Sequence, residues 1–467
     1  MKTKPQKGQT ANLFRNTLMT DNRDSLDFRT EPVGRLFRRM FLPTLIGMVS
    51  MVILNITDGA FVGHGVGSDA LAAVNIVAPL FLIMAGIGLM FGIGSSVVAS
   101  IHMSKGNQHA ADINLTQGIL ASLITGTIVG SLVFTFQEET CRLFGCSDLL
   151  LPQACSYLRW IAVLMPFNLF GMTAMFMVRL DGSPRFAMAM NCCMAMLNII
   201  LDYIFIYPMQ MGLEGAAIAT ATAFTLGDIP IAIYLLRHTN TVHLYPIKLT
   251  RTSLFLTMRN IVYQIKIGFS ALLGELAIAS VIIVGNYVFM RYLGEDGVAA
   301  YSVGCYCLPI VLMVGNAIVQ SVQPSISFAY GVSDTTRLEK ARSIALRTTI
   351  LSGIIGMLFM AFGSDTISGI FLRTDCNAYQ LCREGLMYYS PAFLFIAVNI
   401  VLIGYMQSIE ATRPATVFTL MRGFMLSIPC FILLPLCAGI PGLWLAQPTA
   451  EAMTLAIILT TRKIYCQ

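Results

Sequence analysis

A handful of ionisable side chains sit where the sequence is otherwise apolar: Asp58, Asp202, Glu275 and Glu451, with Asp228 and Arg422 nearer the ends of their apolar stretches. A charge at the centre of a bilayer costs about 2.5–3.5 kcal/mol or more on insertion scales, so an acid kept there needs a use. Helical spacing gives two of these acids company. Asn55 lies one turn from Asp58, and Asn198 one turn from Asp202 on the same face. At 1.5 Å per residue Asp58 and Asp202 lie at matched depth, roughly 7–8 Å below the same membrane surface, with Thr220 about 12 Å into its own helix and Tyr157 starting another. Two carboxylates, two amides, a hydroxyl and a phenol in one layer outline a site for a proton or for a cation such as Na⁺, with Asp58 and Asp202 as the ligands. The bland alternatives are snorkelling of an acid near a helix end and amide contacts that glue helices together.

Glu275 and Glu451 fall near the midplane. They either attract a cationic substrate into a cavity or pair with a helix end. Methionine is abundant, 28 residues, including Met172, Met175 and Met177 in one apolar stretch and Met188, Met190, Met194 and Met196 in the next. Such flexible side chains, Met175 and Met194 among them, suit an adaptable substrate pocket, and they suit packing or lipid contact equally. Catalytic signatures are missing: there is no G-x-x-x-x-G-K-[ST], H-E-x-x-H or G-x-S-x-G, and no Cys/His cluster at metal spacing. No enzyme activity and no cofactor beyond a coupling ion are expected. The run Gly86-x-Gly88-x-x-x-Gly92-x-Gly94 has no strand before it and reads as close helix packing, not a phosphate cradle.

The elements that carry these residues follow from composition. The chain has 467 residues, 56% hydrophobic and 12% charged, with a mean hydropathy of +0.72. A soluble protein carries about twice that charge fraction. Apolar stretches of helical length recur along it, which predicts an all-α integral membrane protein embedded in the lipid bilayer, with twelve spanning helices. The expected spans are 37–61, 70–101 (overlong, hence tilted or broken), 115–136, 158–178, 186–207 and 213–236, then 262–290, 298–328, 344–362, 386–405, 415–436 and 442–461.

The net charge of +6 does not point to nucleic acid. Most Lys and Arg residues fall in the first segment and alternate loops: Lys2, Lys4, Lys7, Arg15, Arg23, Lys105, Arg179, Arg185, Arg237, Lys248, Arg251, Arg337, Lys340, Arg413, Arg462 and Lys463 among them. By the positive-inside rule both termini are cytoplasmic. The polar first residues lack an apolar core and a small-residue cleavage site, and read as a cytoplasmic tail. Most cysteines lie within apolar helices as small packing residues. Cys141/Cys146 and Cys376/Cys382 fall on outer loops, where a disulfide is chemically possible.

Sliding the sequence by about 227 to 230 positions superimposes Gly67-Ser-Asp69-Ala-Leu-Ala-Ala on Gly294-Glu-Asp296-Gly-Val-Ala-Ala, Gly47 on Gly274, Pro184 on Pro414 and Gly212-Leu213 on Gly442-Leu443. The chain is therefore expected to divide into a tail, 1–34; a six-helix bundle, 35–237; a linker, 238–261; and a second bundle, 262–467. Six helices per repeat give both copies one orientation, related by an axis along the membrane normal, and such halves can rock about a central cavity. Position 285, opposite Asp58 in this register, is Gly, so the acid pair belongs to the first half alone.

Asp58-Gly-Ala-Phe-Val-Gly63, Ala70-Leu-Ala-Ala73, Arg179-Leu-Asp-Gly-Ser-Pro-Arg185, Asn198-x-x-x-Asp202-x-x-x-Ile206 and Gly212-x-x-Gly215-Ala-Ala-x-Ala-Thr220 together resemble the multidrug and toxic compound extrusion (MATE) transporters, in particular the bacterial MepA-like and DinF-like branch. The resemblance implies a V-shaped pair of bundles in a bacterial inner membrane, a monomer exporting amphipathic, often cationic compounds in exchange for H⁺ or Na⁺. It implies coupling roles for Asp58, Asn198, Asp202, Thr220 and Tyr157. Amides that some relatives carry on the fourth helix are replaced here by Met172 and Met175, which leaves H⁺ and Na⁺ both open. Glu275 resembles the seventh-helix Glu of other branches. Two rival readings stand beside export: flipping of a lipid-linked or polysaccharide precursor, which calls for a cationic cavity, and a non-transporting membrane sensor or scaffold.

Overall fold

Backbone torsions carry the clearest mark of duplication. The computed structural model describes residues 26 to 465 apart from positions 145, 147, 248 and 249. Within it, besides Gln210, left-handed backbone occurs at Gly67, Gly106, Gly182 and Gly212 in the first half and at Gly294, Ser333, Glu410 and Gly439 in the second, and these eight are related by the repeat. These pair at offsets of 227 or 228 positions. The short helices Gln137–Leu143 and Ser364–Phe371 pair at the same offset. So do two helix caps: Asn107 Oδ1 accepts from Ala110 N at 3.2 Å, and Asp334 Oδ1 from Arg337 N at 3.0 Å. A side-chain oxygen at this position satisfies an otherwise orphaned first-turn N–H, so both third helices start by the same device.

The first half contains helices one to six: Val33–Gly65, Ser68–Ser104, Gln108–Thr135, Leu151–Leu180, Pro184–Ile206 and Gly212–Arg237. In the second half, Arg251–Gly331 is divided into helices seven and eight at Gly294 (φ 66°, ψ −153°), a conformation that L side chains rarely adopt. Thr335–Phe362 is the ninth. Asn377–Tyr389 and Pro391–Ser408 form the tenth. The eleventh runs from Thr412–Leu420 through a π turn, Met421–Met425, into Ser427–Tyr465, which breaks at Gly439 (φ 61°) to give the twelfth. Twelve apolar spans in two pseudo-symmetric six-helix bundles result, as the sequence predicts.

Several helices start earlier than expected: the fourth at Leu151 rather than 158 and the ninth at Thr335 rather than 344. The second helix is long and, of the two expected forms, not broken, with Pro79 inside it. The seventh starts at Arg251 rather than 262, because Thr250 Oγ1 caps it by accepting from Ser253 N at 3.3 Å. The linker is accordingly 238–250. The expected charges Lys2, Lys4, Lys7, Arg15, Arg23 and Lys248 lie outside the described residues, as do the side chains of Asp69, Arg462 and Lys463.

Close packing explains the glycine run. A Cβ at Gly86 would meet Leu272, at Gly88 Met172, at Gly92 Phe176 and at Gly94 the backbone of Gln264, so the second helix seats against the fourth and the seventh along its length. Phe289, Tyr301 and Trp444 fill the core of the second bundle, with ring centroids 4.5 Å apart for Phe289 and Tyr301 and 5.0 Å for Phe289 and Trp444. No disulfide joins either expected pair. Cys141 Sγ instead neighbours Cys155 Sγ at 3.9 Å, and burial pushes the Cys141 thiol up to about 12. Cys376 donates to the Arg373 carbonyl at 3.0 Å while Cys382 is wholly buried.

Hydrogen bonds between the halves gather toward the face that carries the linker. There Ser100 Oγ donates to the Pro324 carbonyl at 3.1 Å, and Arg179 Nη1 to Gln320 Oε1 at 2.7 Å. Gln264 Nε2 donates to Asn114 Oδ1 at 3.1 Å. The segment preceding helix one is held beneath this closure: Arg337 donates to the carbonyls of Phe28, Arg29 and Glu31 at 2.8, 2.7 and 2.8 Å. The linker is held chiefly by one buried acid, with Asp112 accepting from His243 N at 3.0 Å beside it. Asp181 accepts from the Tyr234 hydroxyl at 2.6 Å and from the backbone N–H groups of Asn240, Thr241 and Val242 at 2.8, 2.7 and 3.0 Å. Hydrogen bonds to a charged group contribute about 1.5–3 kcal/mol each. Asp181→Ala takes the acceptor from three N–H groups, that of buried Val242 among them, and should lower the thermal midpoint in detergent markedly; an unchanged midpoint would show the linker held by its other contacts.

Candidate functional site

Helices one and five run parallel in close contact, and their register decides what faces what. Ser50 Oγ lies 3.1 Å from Cys192 Sγ, and the Phe61 and Tyr207 rings meet at 6.0 Å, offsets of 142 and 146 positions. Asp58 and Asp202, 144 apart, fall between them and become neighbours, close enough for one carboxyl to hydrogen-bond the other when a proton is present. Asp202 and Asn198 are both 0% exposed, and Asp58 is partly buried. Asn198 Nδ2 donates to Thr220 Oγ1 at 3.2 Å, which ties helix five to helix six just beneath the acids. Tyr157 is buried on helix four within electrostatic reach of both carboxyls.

What distinguishes this cluster is a surplus of acceptors. Asp58 Oδ1, both oxygens of Asp202 and Asn198 Oδ1 are buried with no hydrogen-bond donor. Buried polar groups are ordinarily paired, and two neighbouring carboxylates repel. A proton shared between the acids, or a monovalent cation among the four oxygens, supplies the missing positive charge. Among the described residues no three His, Cys, Asp or Glu side chains cluster, so the donor set is not that of a transition-metal centre. Asn55, by contrast, is exposed on helix one and stands outside the cluster.

A second polar region lies in the other bundle. Glu275 and Glu451 line one cavity of about 940 Å³, its open mouth included, with Arg422, Gln447 and, from the first half, Leu89 and Ile93. Glu451 is not free to attract a cation. Arg422 Nη2 and Nε donate to its Oε1 at 2.7 and 3.1 Å, Asn399 Nδ2 to Oε2 at 2.6 Å and Gln447 Nε2 to Oε1 at 3.2 Å. The pairing alternative therefore holds for Glu451, with an arginine as partner. The π turn at 421–425 presents Arg422, and π turns often mark functional positions. Glu275 lines the same cavity and has no ion pair among the described residues.

Met175 and Met194 are placed differently from the expectation. They pack with Val178, Leu115 and Ile231 in the core of the first bundle, 6% and 3% exposed, and do not line the cavity. Core positions and pocket positions are equally apolar, so composition could not separate them. The sequence also left Asn399 and Gln447 unremarked, although Gln447 precedes Glu451 by four residues on one helix face, a spacing that signals contact.

Comparison with known proteins places this arrangement. The MatE family model matches residues 43–204 and 270–433, one match in each half and together well over half of the chain. The multidrug export protein MepA of Staphylococcus saprophyticus is 23% identical over 428 residues, covering 91% of this chain and 92% of that one. MepA of Staphylococcus aureus strain MRSA252 is 22% identical over 427 residues with the same coverage. Among solved structures, an outward-facing multidrug resistance MATE family transporter of the MOP superfamily superposes with a TM-score of 0.87 at 19% identity, covering 95% of this chain and 98% of that one. A MOP superfamily transporter from Pyrococcus furiosus, described as having a binding pocket of reversed polarity, gives 0.86 at 20% identity, covering 94% and 97%.

Proposed function

Because the chain belongs to the MatE family, a family of transporters and not of enzymes, we propose that it is a cation-coupled antiporter that exports amphipathic, often cationic compounds by alternating access. The observation that carries this reading is the acid pair in the first bundle, whose three orphaned oxygens and that of Asn198 face no donor. The coupling ion, H⁺ or Na⁺, binds between Asp58 and Asp202. Asn198, Thr220 and Tyr157 surround it, and the ion draws helices one and five together. A ligand shifts an equilibrium only by its differential affinity for the two states. Burial of the pair in the first bundle gives the ion that leverage on the bundle's packing, and the rocking of the halves follows. Substrate occupies the cavity beside Glu275, the carboxylate there that lacks an ion pair, which favours a cationic centre on an apolar body.

The bias of Lys and Arg toward the linker face supports an inner-membrane protein with both termini in the cytoplasm. The contacts between halves on that face support a state open to the opposite side, and each monomer contains a complete acid pair and cavity. Ethidium export from vesicles tests the proposal: a pH gradient or a Na⁺ gradient should each be imposed alone, and one of them should drive uptake against concentration. Absence of flux under both would overturn it in favour of a precursor flippase.

A further inference from the structure

Asp228 lies on helix six, eight residues beyond Thr220, about 12 Å closer to the linker face. It is 4% exposed, and its Oδ2 has no hydrogen-bond donor. The site is fitted to it: a Cβ at Gly171 of helix four would overlap the Asp228 carboxyl, so glycine there makes the room. Its neighbour Gly227 packs against Met194 of helix five, one turn from Asn198. Among the described residues it makes no ion pair.

A buried carboxylate with an oxygen that no protein group satisfies is costly inside a bilayer in its charged form. It is too deep to snorkel, since helix six continues nine residues, about 14 Å, past it. Nor does it cap a helix or bridge the bundles. The state its surroundings accept is the neutral acid, whose O–H is itself a donor.

We propose that Asp228 is a second proton-binding carboxyl of the first bundle, the linker-side end of a proton route that starts at Asp58 and Asp202 and passes the Asn198–Thr220 pair. This rests on the antiport reading above and adds a commitment to the proton. In the state described here Asp228 holds a proton. When the first bundle swings and water enters on the linker face, the proton leaves to that side, and the next is supplied from the outer acid pair through the two helical turns between. Gly171 permits the exchange by leaving the carboxyl unobstructed against helix four.

The full-length protein in proteoliposomes tests this. An apolar carbodiimide, which attacks protonated carboxyls in apolar surroundings, should label Asp228, mapped by mass spectrometry, and inhibit export in step with labelling. Asp228→Asn keeps the shape and the neutral charge and should still bind ethidium, but pH-driven export should fall about a hundredfold, the low end of the effect of one proton-transfer group. Substrate-induced proton release from purified protein should fall as well. Should Asp228→Asn fail to fold, labelling of the unmodified chain decides alone, and no label at Asp228 overturns the assignment. Wild-type export by Asp228→Asn, with Asp202→Asn inactive, overturns this inference and leaves the antiport reading standing. Wild-type export by both variants removes both.

Discussion

Asp202→Asn should lower ion-driven export of a cationic dye by about 5- to 150-fold, the range spanned by coupling free energies of about 1–3 kcal/mol, while leaving dye binding and thermal stability near wild type. The asparagine keeps the shape of the carboxyl and mimics its neutral form, so the bundle is held in its ion-loaded packing and the cycle loses its driving step. Stability should not suffer. Both Asp202 oxygens are buried without a donor, and nothing in the fold depends on their charge. Asp58→Asn should act in the same direction with a smaller effect, because Asp58 is only partly buried and has one orphaned oxygen where Asp202 has two. The two substitutions together should cost scarcely more than Asp202→Asn alone, since neighbouring groups that hold one ion act as a unit. Full export by both single variants, measured in vesicles under a defined gradient, would falsify the coupling role of the pair.

How much of this was legible beforehand depends on which physical signal each feature leaves. The spans and the duplication are readable because lipid demands long apolar helices and because turns demand residues tolerant of positive φ. Gly67, Gly106 and Gly212 are such turns, and Gly294 and Gly439 recur at their offset. Ser333 and Glu410 fill the same backbone role without glycine, and so the repeat looks weaker in sequence than it is in structure. Asp58, Asp202, Asn198 and Thr220 could be grouped by depth because helical rise converts position into height. Depth alone does not give rotation. Asn55 has the right height yet is exposed on its helix, and Met175 and Met194 have apolar surroundings whether they face a cavity or a core. Partners from distant helices are harder still: nothing local to Glu451 indicates Arg422, 29 residues away across the break at Gly439.

That last pair carries the second large effect. Glu451→Ala should destabilise the protein by about 3–5 kcal/mol, the cost of breaking a buried ion pair by removing one partner. Arg422 is held at 15% exposure and Glu451 at 1%, so the guanidinium recovers only part of what it loses from water, Gln447 loses its carboxylate acceptor, and Asn399 is left with the Glu451 backbone carbonyl alone. Glu451→Gln keeps the shape and one acceptor, and should lie between. The informative variant is the double replacement by apolar residues of similar size, Arg422→Met with Glu451→Leu. Such replacements are often neutral or stabilising, since they remove the desolvation penalty of both charges. If thermal unfolding in detergent shows the double variant restored while Glu451→Ala is not, the single-variant loss reports the stranded arginine and not the net strength of the pair. The two variants also separate structure from charge in the cavity. Glu451→Ala leaves Arg422 unbalanced opposite Glu275 and should weaken binding of a cationic dye, whereas the apolar double leaves Glu275 as the lone charge of the trio and should preserve or strengthen it. Equal dye affinity in all three proteins would mean that the cationic centre of the substrate does not sit in this cavity.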